Sequence, residues 1–593
     1  MNHRLIFLLL FAAQADVLAD PQLSSWFTAD SGQYARIYQT TAAETAGTKS
    51  TTWSRGTGIQ SNPTYATVSE VSYSASWVYI RTTGLASHMM GPWYLDAAKT
   101  QNFPNFPSNT AVIYRIPRVP VIPASKTLTG LGTTGRMVNG VSMFDSRDAF
   151  SYSNSNATDA TPTNGITGDG IWNRDAYTNE SVTFDAAYAH QAGNNYHYHA
   201  QPIALRYQLG DHVDYNATTN RYTENASAVT KHSPIVAWAA DGIPVYGPYG
   251  YSSPMDPNSG VRRMICGFVK RDGNNGTTNL SSTGRTTLPA WAARVQSRST
   301  TLSSGQYGPV VNATYTLGHY IEDYDYLGDL GYAQGVDFDL NEQNVRYCVT
   351  PEYPSGTWAY FLPIAADGTP MYPYTTGRQY YGTPSGGAVT SITETVTTHF
   401  SGGPNKTDVL NQPVINGGDV TLSWSGIEGG SYTVQASPNL ADWTSLTPDI
   451  TAIGDDSVQV TESGVGGNTT RFYKIARAST LATFDSNGFN YTQSGGGGGG
   501  GAVNVPGGTA TRGTTVVATI TLPTSPPQPP ANLVPISVVI GGSISGTSIS
   551  RPSQGTVVAT FTIPAGAATG AQNVVVTFNP GPTYTLTGGI TIQ

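Results

Sequence analysis

Apolar and polar residues alternate with period two through two stretches toward the end of the chain. VTLSWSG, SYTVQAS, SVQVTES and RFYKIA lie within residues 414–478, with turn residues between them. TVVATITLP, PISVVIGG, GTVVATFTIP and QNVVVTFNP lie within residues 503–593, and a proline-rich SPPQPP loop separates the first two. Strict alternation puts every second side chain on one face, so each stretch predicts strands with one buried and one wet side. Two small β-sandwiches follow. In the first, Trp424, Tyr432, Trp443 and Phe472 are expected core aromatics. Residues 20–383 have a more even texture, dense in Tyr, Asp and Gly-x-Pro turns, with room for two lobes. Residues 384–413 and 479–502, the latter holding the run Gly495 to Gly501, predict linkers. The expected fold class is mainly β: one large β-rich region, then two small immunoglobulin-like sandwiches.

Composition supports that reading. Only 11% of residues are charged, helix formers are scarce, and β-branched and aromatic residues are common. The net charge of −8 comes without any Lys/Arg cluster, which argues against a nucleic-acid partner. The N-terminus has Arg4, an apolar run from Leu5 to Ala13, and small residues suited to cleavage after Ala15 or Ala19. That is the form of a secretory signal peptide, residues 1–19, and its apolar core is shorter than the ~20 residues a membrane helix needs. No other segment is long and apolar enough to span. The mature protein is therefore expected to be secreted or held at the cell surface. Export makes Cys266 and Cys348 a candidate disulfide, with two isolated buried thiols as the other reading.

Candidate chemistry concentrates in NNYHYHAQP, residues 194–202. On a strand, His197 and His199 share one face and Tyr196 and Tyr198 the other. Two imidazoles so placed can ligate one metal ion, and neutral imidazole suits Zn or Cu. A third ligand must come from elsewhere. His190 can fold back through the Gly193-Asn194-Asn195 turn. HSPIVAWAADGIPVYGPYGY supplies His232, which opens an apolar strand, and Asp241 in the turn that ends it. Asp241 fits a ligand and a turn-capping carboxylate equally well. HYIEDYDYLGDLG supplies Asp323 and Asp325, which share a face if extended and suit a mixed His/carboxylate site or Ca²⁺. In FDSRDAF and WNRDAY, buried Arg–Asp pairing is the favoured reading. His88 is a remote candidate, and His212 and His399 are expected at the surface.

The ordered set YHYHAQP, HSPIVAWAADGIPVYGPYGY, DYDYLGDL and CVTPEYPSGTWAYFLP resembles the YHYH domain family, over roughly residues 80–383. The resemblance implies a domain of secreted proteins and no established reaction. The 414–478 module resembles one often found near the C-termini of large secreted bacterial proteins, and residues 503–593 resemble an IPT/TIG module. Within the chain, AADGxPxY occurs at Ala239 to Tyr246 and again at Ala365 to Tyr372. GTWAYF, residues 356–361, aligns with NNYHYH but carries Ala359 and Phe361 where the histidines stand. Two related β-units are expected, with only the first retaining ligands.

Three functions fit these residues. The first is an exported metal-binding domain using His197, His199 and His232, completed by Asp241, Asp323 or Asp325. The second is a non-catalytic surface or matrix protein that binds a glycan or another protein. The third is a metal-free hydrolase with a His/Asp pair.

Overall fold

The computed structural model describes residues 20–593 except 407, 409, 447–449, 453–456, 466–470, 479–501, 506–508, 523–533, 554 and 579–582. The expected signal peptide and the glycine run lie outside the described residues. The chain divides into two units, Met1–Gly403 and Pro404–Gln593. Strands dominate both, so the structure is mainly β.

The first unit is built on an eight-stranded mixed sheet. Its strands are β1 (Thr133–Met137), β2 (Ser142–Phe144), β3 (His190–Ala192), β4 (Asn195–Tyr198), β5 (Ile235–Ala239), β6 (Pro244–Tyr246), β7 (Val345–Cys348) and β8 (Thr357–Phe361). Their spatial order is β3-β4-β2-β1-β5-β6-β8-β7. The first four strands are arranged 1-2-4-3 and the last four repeat that order as 5-6-8-7. In each half two antiparallel hairpins meet through one parallel pair, β4 with β2 and β8 with β6. β1 and β5 join the halves antiparallel, which relates them by an approximate two-fold axis normal to the sheet.

Register confirms the equivalence of NNYHYH and GTWAYF. Tyr198 lies opposite Met143 on the parallel neighbour, and Tyr360 lies opposite Val245. His190 pairs with His197 across β3 and β4, and Arg346 pairs with Ala359 across β7 and β8. The two AADGxPxY copies are not equivalent in the fold. The first forms the β5–β6 turn, whereas the second follows β8 and closes through an Ile364–Pro370 bridge.

A second, antiparallel sheet has five strands in the order Gly387–Val389, Val112–Pro117, Trp77–Thr82, Val68–Tyr73, Thr397–Ser401. The outer two come from the segment expected to be a linker, so that segment is partly structured. Its strands are mostly exposed and rich in Thr and Gly, which leaves backbone pairing to hold them and no apolar alternation to reveal them. One apolar core joins the two sheets, with Val71, Val78, Ile80 and Ile116 from the smaller and Met137, Tyr196, Tyr198, Val236 and Tyr360 from the larger. The candidate disulfide is not formed, and the other reading, two buried thiols, holds. Both cysteines are buried free thiols, Cys348 in this core and Cys266 in a separate cluster with Trp291 and Tyr372. The Cys266 thiol donates to the Tyr372 carbonyl at 3.0 Å.

In the second unit, Val420, Leu422 and Trp424 of one sheet pack against Tyr432 and Val434 of another, as a small sandwich. Trp424 and Tyr432 are fully buried. Trp443 and Phe472 are only half-buried, a correction to their expected core role. Trp443 sits at the margin, where the Lys474 ammonium lies 4.2 Å from its ring. Residues from 502 onward form two four-stranded antiparallel sheets around Ile520, Phe561, Val574 and Tyr584.

Candidate metal centre

Packing decides which way β4 faces. Tyr196 and Tyr198 enter the apolar core, where the Tyr196 hydroxyl donates to Asp185 Oδ2 at 2.8 Å and the Tyr198 hydroxyl meets His88 Nε2 at 2.7 Å. Alternation then sends His197 and His199 out of the opposite face. The β3–β4 hairpin turns at Gly193, whose φ of +60° suits a two-residue turn. That turn sets His190 directly across from His197, and paired residues project to the same side. The potential ligand atoms of His190, His197 and His199 all lie within 4.8 Å of one another, so this cluster can hold a metal ion.

The outer ring nitrogens are already engaged. His197 Nδ1 lies 3.0 Å from the Asn195 carbonyl, His199 Nδ1 2.7 Å from the Asp145 carbonyl, and His190 Nδ1 2.7 Å from Thr183 Oγ1. A carbonyl only accepts, so Nδ1 of His197 and of His199 must carry the proton. Their Nε2 atoms then point inward, 3.0 Å apart. Two bare lone pairs do not rest at that distance. A proton or a cation belongs between them. Phe144 stacks on His197 at 3.8 Å, and Phe184 meets His190 edge-on at 4.9 Å, which fixes the ring planes.

A carboxylate missed in the sequence completes the group. Glu180 ends the short helix Ala176–Glu180, whose first turn is capped by Asp175 accepting from the Thr178 N–H. The Tyr374 hydroxyl holds that cap at 2.8 and 2.7 Å from its two oxygens. Glu180 Oε2 lies 3.0 Å from His199 Nε2 and 3.4 Å from His190 Nε2. Glu180 Oε2 and His190 Nε2 are both buried, and Glu180 is the carboxylate partner of both the His199 and the His190 ring. A tetrahedral ion with ligands at about 2.0–2.1 Å suits this donor set.

Burial and mutual repulsion push His197 well below the ordinary imidazole range, and burial also lowers His190 despite Glu180. Burial opposes a charge on His199, but Glu180 outweighs it and raises His199. Burial would raise Glu180, and the His199 and His190 rings hold it well below the carboxylate range instead. Without metal, Glu180 makes His199 the ring of the three that most readily takes a proton.

The other sequence candidates lie outside this cluster. His232 donates through Nδ1 to the Ser233 carbonyl at 2.7 Å, and its ring packs on Tyr246 and Tyr251 in the second half of the sheet. Asp241 caps its turn: it accepts from the Ile243 N–H, the Gly382 N–H and the Tyr360 hydroxyl. Asp323 is held by Arg285 through two bonds of 2.7 Å. Asp325 lies 3.7 Å from Arg271. The two do not share a strand face, because Ile321–Asp323 is a 3₁₀ turn and the strand begins at Tyr324. The expected arginine pairs are present, Arg147 with Asp145 at 2.9 Å and Arg174 with Asp148 at 3.0 Å.

A cleft of about 550 Å³ opens over the three histidines. Leu95, Phe103, Leu131, Phe150 and Pro162 form its apolar lining, and Arg147, Asp148, Arg174 and Glu180 its charged lining. Among the described residues no helix is long and apolar enough to cross a membrane.

No curated protein matches the chain. Two solved structures that it resembles are "FdeC, a Novel Broadly Conserved Escherichia coli Adhesin Eliciting Protection against Urinary Tract Infections" and the "Bacteroides ovatus mixed-linkage glucan utilization locus (MLGUL) SGBP-B in complex with mixed-linkage heptasaccharide". The first is 16% identical with a TM-score of 0.13, over 32% of this chain and 63% of that one. The second is 11% identical with a TM-score of 0.14, over 32% and 48%. The chain thus spans less than two thirds of either, and likeness at this level carries no argument. The segment that contains the whole central sheet and the histidine cluster, residues 113–382, matches the family model described as YHYH protein.

Proposed function

We propose that this is an exported metal-binding protein whose His190, His197, His199 and Glu180 hold one transition-metal ion at the base of the cleft. The observation that carries it is the convergence of imidazole Nε2 atoms, two of them 3.0 Å apart, while Nδ1 of each ring is engaged outward. Outer-atom hydrogen bonds of this kind orient metal-ligating histidines. Three nitrogens and one carboxylate favour Zn or Cu over Ca²⁺, which takes six to eight oxygens. A bound ion would supply Lewis acidity or redox chemistry facing the cleft. The immunoglobulin-like C-terminal modules, without histidine or cysteine, serve as spacer or attachment.

Elemental analysis of the purified exported chain tests this. One Zn or Cu per chain is expected, and none in the His197→Ala/His199→Ala double variant. A folded wild-type protein that takes up neither ion after loading would sink the proposal.

A further inference from the structure

The cleft over the cluster has a chemistry of its own. Its lining includes three phenyl rings, Phe103, Phe144 and Phe150, together with Leu131 and Pro162. Its size lies within the roughly 300–1,000 Å³ of small-molecule sites. Such walls suit a flat apolar body, since aromatic rings pack by offset stacking or edge to face.

Charge comes from the other lining groups. Arg174 is engaged by Asp148 at 3.0 Å and approached by Asp159 at 3.9 Å. Arg147 is differently placed. Its Nε donates to Asp145 Oδ1 at 2.9 Å, while its two Nη atoms make no hydrogen bond to any described residue. The guanidinium thus spends one edge on Asp145 and keeps the other, which matches a carboxylate in bidentate geometry. Arg174 is thus faced by two aspartates and Arg147 by one, and Glu180 offsets only one charge of a divalent ion. The open edge of Arg147, beside a cation held by only one carboxylate, is where an anionic group would be received.

We propose that the cleft binds a small aromatic carboxylate, its ring between the phenyl side chains and its carboxylate directed to Arg147 and the metal centre. The second anchor rests on the metal reading above, and the first does not. Binding of benzoate to the exported chain, in Zn-loaded and metal-free forms, is measured by calorimetry with metal content determined on the same samples. Benzoate is expected to bind at least tenfold tighter than acetate or benzamide. Arg147→Gln should weaken benzoate at least tenfold while keeping the metal. Phe150→Ala, a half-buried wall residue, should weaken benzoate severalfold and leave acetate unchanged. A Zn-loaded protein that binds benzoate no tighter than acetate overturns this inference alone, as does an Arg147→Gln protein that binds benzoate normally. A chain that takes up no metal overturns the metal reading, and Arg147-dependent benzoate binding in that chain still supports the cleft assignment.

Discussion

Loading the cluster must expel any proton bound to its ring nitrogens, and the number released distinguishes this site from three ordinary histidines. At pH 6 a free imidazole with pKa near 6.5 is about three-quarters protonated, so three unperturbed histidines would release roughly two protons to a metal ion. Here burial lowers His190 and His197, while Glu180 raises His199. Fewer protons than that should therefore leave at pH 6, chiefly from His199. Below the folded-state pKa of His199, apparent affinity should climb about tenfold, or about 1.4 kcal/mol, per pH unit. Titrating metal-free protein with Zn²⁺ in buffers of differing ionisation enthalpy gives the count as the slope of observed heat against buffer enthalpy. Glu180→Gln removes the partner 3.0 Å from His199 Nε2. Its release should drop toward zero at pH 7, and its affinity should fall. A wild-type count near two at pH 6, or a count unmoved by Glu180→Gln, would refute the proton assignment.

Other outcomes follow from the packing. His232 is pushed down to about 4 by burial. The unfolded chain thus binds a proton that the folded one refuses, and stability falls as pH drops from about 6.5 toward 4. His232→Phe should shrink the loss of unfolding free energy between pH 7 and pH 5 by about 2 kcal/mol, read by urea denaturation; an unchanged difference would contradict the burial account. Tyr198→Phe leaves the buried His88 Nε2 without its 2.7 Å partner and should cost about 1–3 kcal/mol, yet keep metal content at the wild-type level because it lies on the opposite sheet face. Native protein should give no reaction with a thiol reagent and two equivalents once unfolded without reductant, since both cysteines are buried and free and burial pushes Cys266 up to about 12. Zero equivalents after unfolding would restore the disulfide. Trp424→Ala should destabilise the small sandwich by about 3–5 kcal/mol, measured as loss of its unfolding transition, with metal binding intact.

Local chemistry is legible in a sequence where periodicity is. The alternation of β4 sorted histidines from tyrosines, the period-two runs after residue 413 marked the strands of both sandwiches, and the YHYH and WAYF segments announced a duplicated unit. Each rests on a repeat of side-chain direction that the backbone enforces without help from distant residues. Which face met the core was not written there. The burial of Tyr196 and Tyr198 in the apolar core, against Trp93 and His88, decided it, and it turned the histidines toward the cleft. Partnership was likewise tertiary. His190 became a member of the cluster through hairpin register, and Glu180 through a five-residue helix capped by Asp175 and Tyr374. His232, Asp241, Asp323 and Asp325 carried the same residue types, but aromatic packing, turn N–H groups and two arginines engaged them first. A sequence states which side chains are able to ligate; burial, register and the nearest competing partner decide which of them converge.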